Sequence, residues 1–191
     1  MRKLIYFVAA TVDGFIAAPD GGIDFFPLEP DLLDFVVAEY PETLPTHVRT
    51  RIGLDAPNRV FDTLVMGKGT YDPALALGIT SPYAHLKQYV FSRTAEAAPE
   101  PEVEIVTGDP VELVRRLKLQ DGLDIWLCGG GDLAAQLLPE VDELVVKLNP
   151  VLAGAGIPLL RSDFNPTPLT LRDTRPLPGG VVVLRYSREG N

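Results

Sequence analysis

Three short segments of this 191-residue chain combine glycine with a cation or a hydroxyl: Gly67-Lys68-Gly69-Thr70, Ser92-Arg93-Thr94 and Gly129-Gly130-Gly131. Lys68 and Arg93 could supply charge to phosphates, and the Thr70 and Ser92 hydroxyls could add hydrogen bonds. The glycine run offers backbone N–H groups that no Cβ shields, so an anion can come close. Gly129-Gly130-Gly131 is not the full dinucleotide fingerprint, so it reads either as a pyrophosphate cradle or as a tight turn that packs a helix on a sheet. Lys68 and Ser92-Arg93, taken singly, also fit a solvated loop lysine and a surface turn. Together the three segments fit one anion site.

What must bring them together is a sheet. Each segment follows a short apolar run without helical period: Thr63 to Met66, Tyr89 to Phe91 and Asp124 to Cys128. Such runs read as buried strands, and in an α/β sheet ligands lie at the carboxyl ends of the strands. Leu4 to Ala10 is a further central strand ended at Asp13-Gly14, and Val103 to Val106 is another. Helices are predicted over Pro30 to Tyr40, Tyr71 to Leu77, Pro110 to Leu119 with Asp109 as N-cap, and from Asp132 to Pro139. The last third is mostly strand: Glu143 to Leu148, Pro168 to Asp173 and Val181 to Tyr186, the last two joined through a turn at Pro176 to Gly180. That order predicts an α/β fold in three layers: a mixed, mostly parallel central sheet with an antiparallel C-terminal edge and helices on both faces. Pro41 to Arg59 has weak patterning and is read as a long connection over the site.

Composition narrows the classes. The length suits a single domain over 1–191. Hydrophobic residues at 46% and charged ones at 23% are ordinary for a folded, water-facing protein. A net charge of −9 argues against nucleic acid as partner, since that binding rests on clustered Lys and Arg. Cys128 stands alone and there are two histidines, so neither an internal disulfide nor a metal site is expected. The apolar run near the N-terminus is broken by Thr11 and Asp13, and no stretch reaches the roughly 20 apolar residues of a membrane span, so a cytoplasmic location is expected.

The motifs resemble a known group. Val65-Met66-Gly67-Lys68-Gly69-Thr70-Tyr71 is similar to a segment of the dihydrofolate reductase-like superfamily, as are the strand ending in Ser92-Arg93 and the glycine loop and helix over Ile125 to Leu138. Thr11-Val12-Asp13-Gly14, Asp142-Glu143-Leu144 and Pro150 through Gly154-Ala155-Gly156-Ile157-Pro158-Leu159 resemble its branch related to the reductase domain of bacterial riboflavin biosynthesis. The resemblance implies NADPH as hydride donor and a small-molecule substrate. It places Gly67, Lys68 and Thr70 at the cofactor phosphates, Ser92 and Arg93 at the adenosine 2′-phosphate, Gly129, Gly130 and Gly131 at the pyrophosphate, and the Ala9 and Ala10 backbone near the nicotinamide. A 2′-phosphate selects for a nearby arginine, which agrees.

Reducing a C=N bond also needs a proton, so a carboxyl or a water should stand close. Asp31 resembles the pterin-binding acid of bacterial dihydrofolate reductases, but it equally suits the first turn of its helix. Asp13, beside a glycine at a strand end, either caps the turn or meets substrate. The reading is an NADPH-dependent reductase of a pteridine-like or ribosylaminopyrimidine substrate. The alternative is a non-catalytic dinucleotide- or ligand-binding protein that keeps the cofactor loops and has lost the acid. A homodimer is expected through the apolar strands Glu143 to Leu148 and Val181 to Leu184, if either is left bare at an edge.

Overall fold

Leu4–Thr11 (β1) is buried along nearly its whole length, which a strand achieves only inside a sheet covered on both faces. The computed structural model describes residues 1–27, 29–94 and 100–188. The other long strands are Phe61–Gly67 (β3), Lys87–Phe91 (β4), Val103–Val106 (β5), Asp124–Gly129 (β6), Glu143–Asn149 (β7), Leu169–Pro176 (β9) and Val182–Arg188 (β10). With β1 they form one eight-stranded sheet in the order β5-β4-β3-β6-β1-β7-β10-β9. β1 pairs in parallel with β6 and β7, whereas β10 pairs antiparallel with both β7 and β9. Phe15–Ala17 (β2) and Ile157–Pro158 (β8) make a separate two-stranded antiparallel sheet.

Successive β1 side chains point to opposite faces, and each face builds its own core. Ile5 and Phe7 join Phe61, Trp126 and Val145 beneath helices Pro30–Glu39 (α1) and Lys68–Ala76 (α3), which contribute Phe35, Val36 and Tyr71. Leu4, Tyr6 and Val8 join Leu127 beneath Pro110–Lys118 (α4) and Gly131–Leu137 (α5), which contribute Leu113, Leu117, Leu133 and Leu137. The result is the three-layer α/β fold with an antiparallel C-terminal edge that the pattern of elements predicts. Asp109 caps α4 as expected, its side chain accepting from Val111 N at 2.8 Å.

Two expectations are corrected. The Pro41 to Arg59 segment does not lie over the carboxyl ends of the strands. It holds a 3₁₀ turn, Pro41–Thr43, and a short helix, Thr46–Arg51 (α2). The fully buried Glu42 accepts from Val60 N and Phe61 N at 2.7 Å each, which pins the segment to the amino end of β3. A buried carboxylate that satisfies two strand-end N–H groups is a local anchor. The second correction concerns the sheet edge. β7 and β10 are both paired on two sides, so neither leaves the bare edge on which a homodimer was expected, and the exposed edge strand at that end is β9.

Candidate functional site

The three glycine and cation segments follow β3, β4 and β6, which are immediate neighbours in the sheet and run in parallel. Register brings their ends level: Gly67 stands beside Phe91, and Met66 beside Gly129. A Cβ built on either Gly129 or Gly130 would stand 3.7 Å from Thr70 Oγ1, and one on Gly67 would stand 3.8 Å from Gly130 N. Gly67, Thr70, Gly129 and Gly130 therefore line one wall. Gly129 has φ 140°, a conformation that favours glycine, and its peptide bond to Gly130 is cis.

Gly131 differs. Its Cβ would fall 2.4 Å from the Pro158 carbonyl oxygen, and Arg161 N donates to the Gly131 carbonyl at 3.1 Å. The glycine at this position lets the chain after β8 cross the start of α5, and that crossing buries it. Of the two readings of the glycine run, close packing accounts for Gly131, while Gly129 and Gly130 remain on the wall with Thr70.

The cations are placed unequally. Lys68 Nζ donates to Asp72 Oδ1 at 2.7 Å, one turn further along α3. At the end of β4, Ser92 N donates to Val106 O at 3.0 Å and Ser92 Oγ accepts from Thr94 N at 3.2 Å. That turn leaves Arg93 exposed, in no ion pair with a described residue.

Both candidate acids are taken up by backbone. The exposed Asp13 carboxylate accepts from Thr11 Oγ1 at 2.6 Å, Gly154 N at 2.7 Å and Ala153 N at 3.1 Å. These hydrogen bonds, the Thr11 hydroxyl first, hold its pKa down to about 2. Asp13 is thus ionised at neutral pH and clasps the segment after β7 to the end of β1. The same clasp explains the Gly154-x-Gly156-x-Pro158 motif: a Cβ on Gly156 would lie 2.3 Å from Ala17 O. Asp31, in the first turn of α1, accepts from Gly179 N at 2.9 Å and so docks the turn between β9 and β10 against the helix. On β1, Ala9 lies on the face of Phe7 and α1, and the fully buried Ala10 on the face of α4 and α5.

The family model of the RibD C-terminal domain matches residues 2–183. The chain belongs to this family. It is 29% identical over 189 residues to the uncharacterized protein YwjB of Bacillus subtilis strain 168, covering 98% of each chain. Among solved structures it is similar to a Shewanella sp. PV-4 protein provisionally assigned to riboflavin biosynthesis, with a TM-score of 0.71 and 25% identity over 98% of this chain and 99% of that one. Dihydrofolate reductase from Enterococcus faecalis, solved in complex with NADP(H) and RAB-propyl, shares the fold with a TM-score of 0.66 at 15% identity, covering 98% of this chain and 96% of that one. The RibD C-terminal domain of this protein is therefore a reductase-like, dihydrofolate reductase-like fold.

One residue of this RibD C-terminal domain that sequence reasoning passed over faces the same end of the sheet. Lys147 on β7 is registered with Ala9 on one side and Val183 on the other. Its Nζ stands 4.2 Å from the centroid of the Phe7 ring. Burial pushes its pKa down to about 8, and burial likewise pushes the Cys128 thiol up to about 12. A signal was present: Lys147 is the single charge within the apolar core of the strand ELVVKLN, at a position whose alternation points inward. Among the described residues no cluster of His, Cys, Asp or Glu could hold a metal, and no helix is long and apolar enough to cross a membrane.

Proposed function

We propose that this RibD C-terminal domain protein is an NADPH-dependent reductase of a pteridine-like or ribosylaminopyrimidine substrate. The observation that carries the reading is the row of level loops on β4, β3 and β6, ending beside Ala9 on β1. Arg93 and Ser92, at the outer end of that row, would hold the 2′-phosphate. Lys68, Thr70 and the backbone of Gly67, Gly129 and Gly130 would hold the remaining phosphates. The wall beside Thr70, which a Cβ at either glycine would narrow, fits a close approach of this kind. The bound cofactor would supply the hydride. Ala9 would offer backbone and a small side chain at the nicotinamide, beside which the flat heterocycle of the substrate would lie.

Arg93→Ala tests the reading. A charge-assisted contact is worth on the order of 1.5–3 kcal/mol, roughly 10- to 100-fold in affinity. The variant is expected to lose that much NADPH affinity and to bind NADH nearly as the wild type does. Equal losses for both cofactors would remove Arg93 from the site.

A second reading, a non-catalytic dinucleotide- or ligand-binding protein, draws on the engagement of both Asp13 and Asp31 with backbone N–H groups. NADPH oxidation measured across pterins and aminouracils separates the two readings.

A further inference from the structure

The chain has five lysines. Lys3 pairs with Glu143, Lys68 with Asp72, Lys87 with Glu104, and Lys118 with Asp142 and Glu140. Lys147, half-buried, has no carboxylate among the described residues. Its surroundings explain why. Phe7 and Ala9 of β1 and Val183 of β10 are apolar, and Cys128 of β6 remains a neutral thiol. Tyr83, packed on Trp126, also stays neutral, because burial raises its phenol well above its usual range. Of the acids on α1 and β9, Asp31 is engaged with Gly179 N and Glu39 with Arg175, and neither Asp34 nor Asp173, which shares the face of Arg175, pairs with Lys147. At the far end of β7, Glu143 is shared by Lys3 and Arg185.

An ammonium set among apolar neighbours without an acid costs stability, and a methionine or leucine would pack on Phe7 and Val183 without that cost. An ammonium donates hydrogen bonds and accepts none, so the partner that suits it carries an oxygen or nitrogen lone pair. No described residue supplies that partner, which leaves the place to a ligand. Lys147 lies next to Ala9, the position that the reductase reading puts at the nicotinamide, and so at the hydride-accepting end of the crevice. The two acids expected to give a proton there are held by backbone instead.

We propose that Lys147 is the catalytic acid of this site, touching the substrate nitrogen or oxygen that gains a proton while the adjoining carbon is reduced. The proposal rests on the reductase reading above. In the step, the carbon of a C=N or C=O bond takes a hydride from the reduced cofactor, and its nitrogen or oxygen takes a proton from Nζ as the π bond is lost. The products are the reduced substrate, the oxidised cofactor and a neutral lysine amine, which water reprotonates. A lysine that titrates close to neutral pH suits this exchange.

The test begins without any substrate. Wild-type protein, with and without NADPH, is acetylated by trace acetic anhydride from pH 6 to 11, and each lysine is followed by mass spectrometry. Lys147 is expected to label with a midpoint close to 8, below that of Lys3, whose pairing with Glu143 raises its pKa. A Lys147 that stays unlabelled, or that titrates with the others, overturns the proposal. Turnover of whichever pterin or aminouracil oxidises NADPH is then compared in Lys147→Arg and Lys147→Met. Both variants should lose about 100-fold or more in kcat and keep NADPH affinity within about twofold, and the fall of wild-type kcat above pH 8 should vanish in Lys147→Arg. An arginine variant with wild-type kcat and pH profile overturns the role. Wild-type protein that fails to bind NADPH while Lys147 still titrates near 8 overturns the reductase reading, and the role in reduction with it, but leaves the reactive lysine standing.

Discussion

Replacing Lys147 by methionine should make the protein more stable at neutral pH, which is unusual for a half-buried residue. The lysine pKa falls from 10.5 to about 8 on folding, and a lowering of that size corresponds to roughly 3 kcal/mol against the folded state. Two terms reduce it. Part of the side chain remains open to water, and the Phe7 ring at 4.2 Å returns about 1 kcal/mol as a cation–π contact. A net gain of about 1–2 kcal/mol remains for Lys147→Met at pH 7, seen as a rise of roughly 2–8 °C in Tm for a chain of this size. The pH dependence is the sharper readout. Below pH 8 the lysine is charged in both states, so the full cost is present. From pH 8 to 10.5 the native protein releases a proton that the unfolded chain still holds, so wild-type stability gains on the variant and the difference shrinks. Urea denaturation of both proteins at pH 6, 7, 8, 9 and 10 would measure it. A variant less stable than wild type at pH 7, or a difference that stays constant up to pH 10, would refute the account of an uncompensated ammonium.

Asp13→Asn should lower Tm at pH 7, because an amide replaces the carboxylate that gathers Thr11 Oγ1, Ala153 N and Gly154 N. The Asp13 pKa is about 2 in the folded chain against 3.8 in the unfolded one, so the stability it lends is present above pH 3.8 and is lost as pH falls toward 2. The variant should therefore show a weaker acid dependence in that window, and identical acid unfolding curves would count against the clasp. Gly131→Ala should lose about 1–3 kcal/mol by overpacking, since its Cβ would meet Pro158 O at 2.4 Å; unchanged thermal unfolding would show that the chain after β8 gives way easily.

Much of this protein is legible in one dimension. Strand, glycine turn and helix are local patterns of period and backbone freedom, so β3, β4 and β6 and the loops that end them can be read from residues 63–70, 89–94 and 124–131 alone. The motifs in those loops reach the superfamily, and those at residues 11–14, 142–144 and 150–159 reach the family's branch of it. β2 and β8 escape notice because three and two residues carry no period. The order β4-β3-β6 is not local, and it is what turns three weak segments into one wall. The acids show the boundary most plainly. Asp13 meets a backbone N–H 140 residues further on, and Asp31 one 148 residues further on. A carboxylate near a glycine or in a first helical turn looks the same in sequence whether it meets a substrate or a distant loop, and only chain closure chooses its partner. Lys147 is the reverse case. Its residue type and strand position are plain in the sequence, but its chemistry comes from what surrounds it: apolar neighbours on β1 and β10, and acids already engaged elsewhere. Local spacing decides which elements form and which side chains share a face; register across the sheet decides which charges find partners, and so which one is left to a ligand.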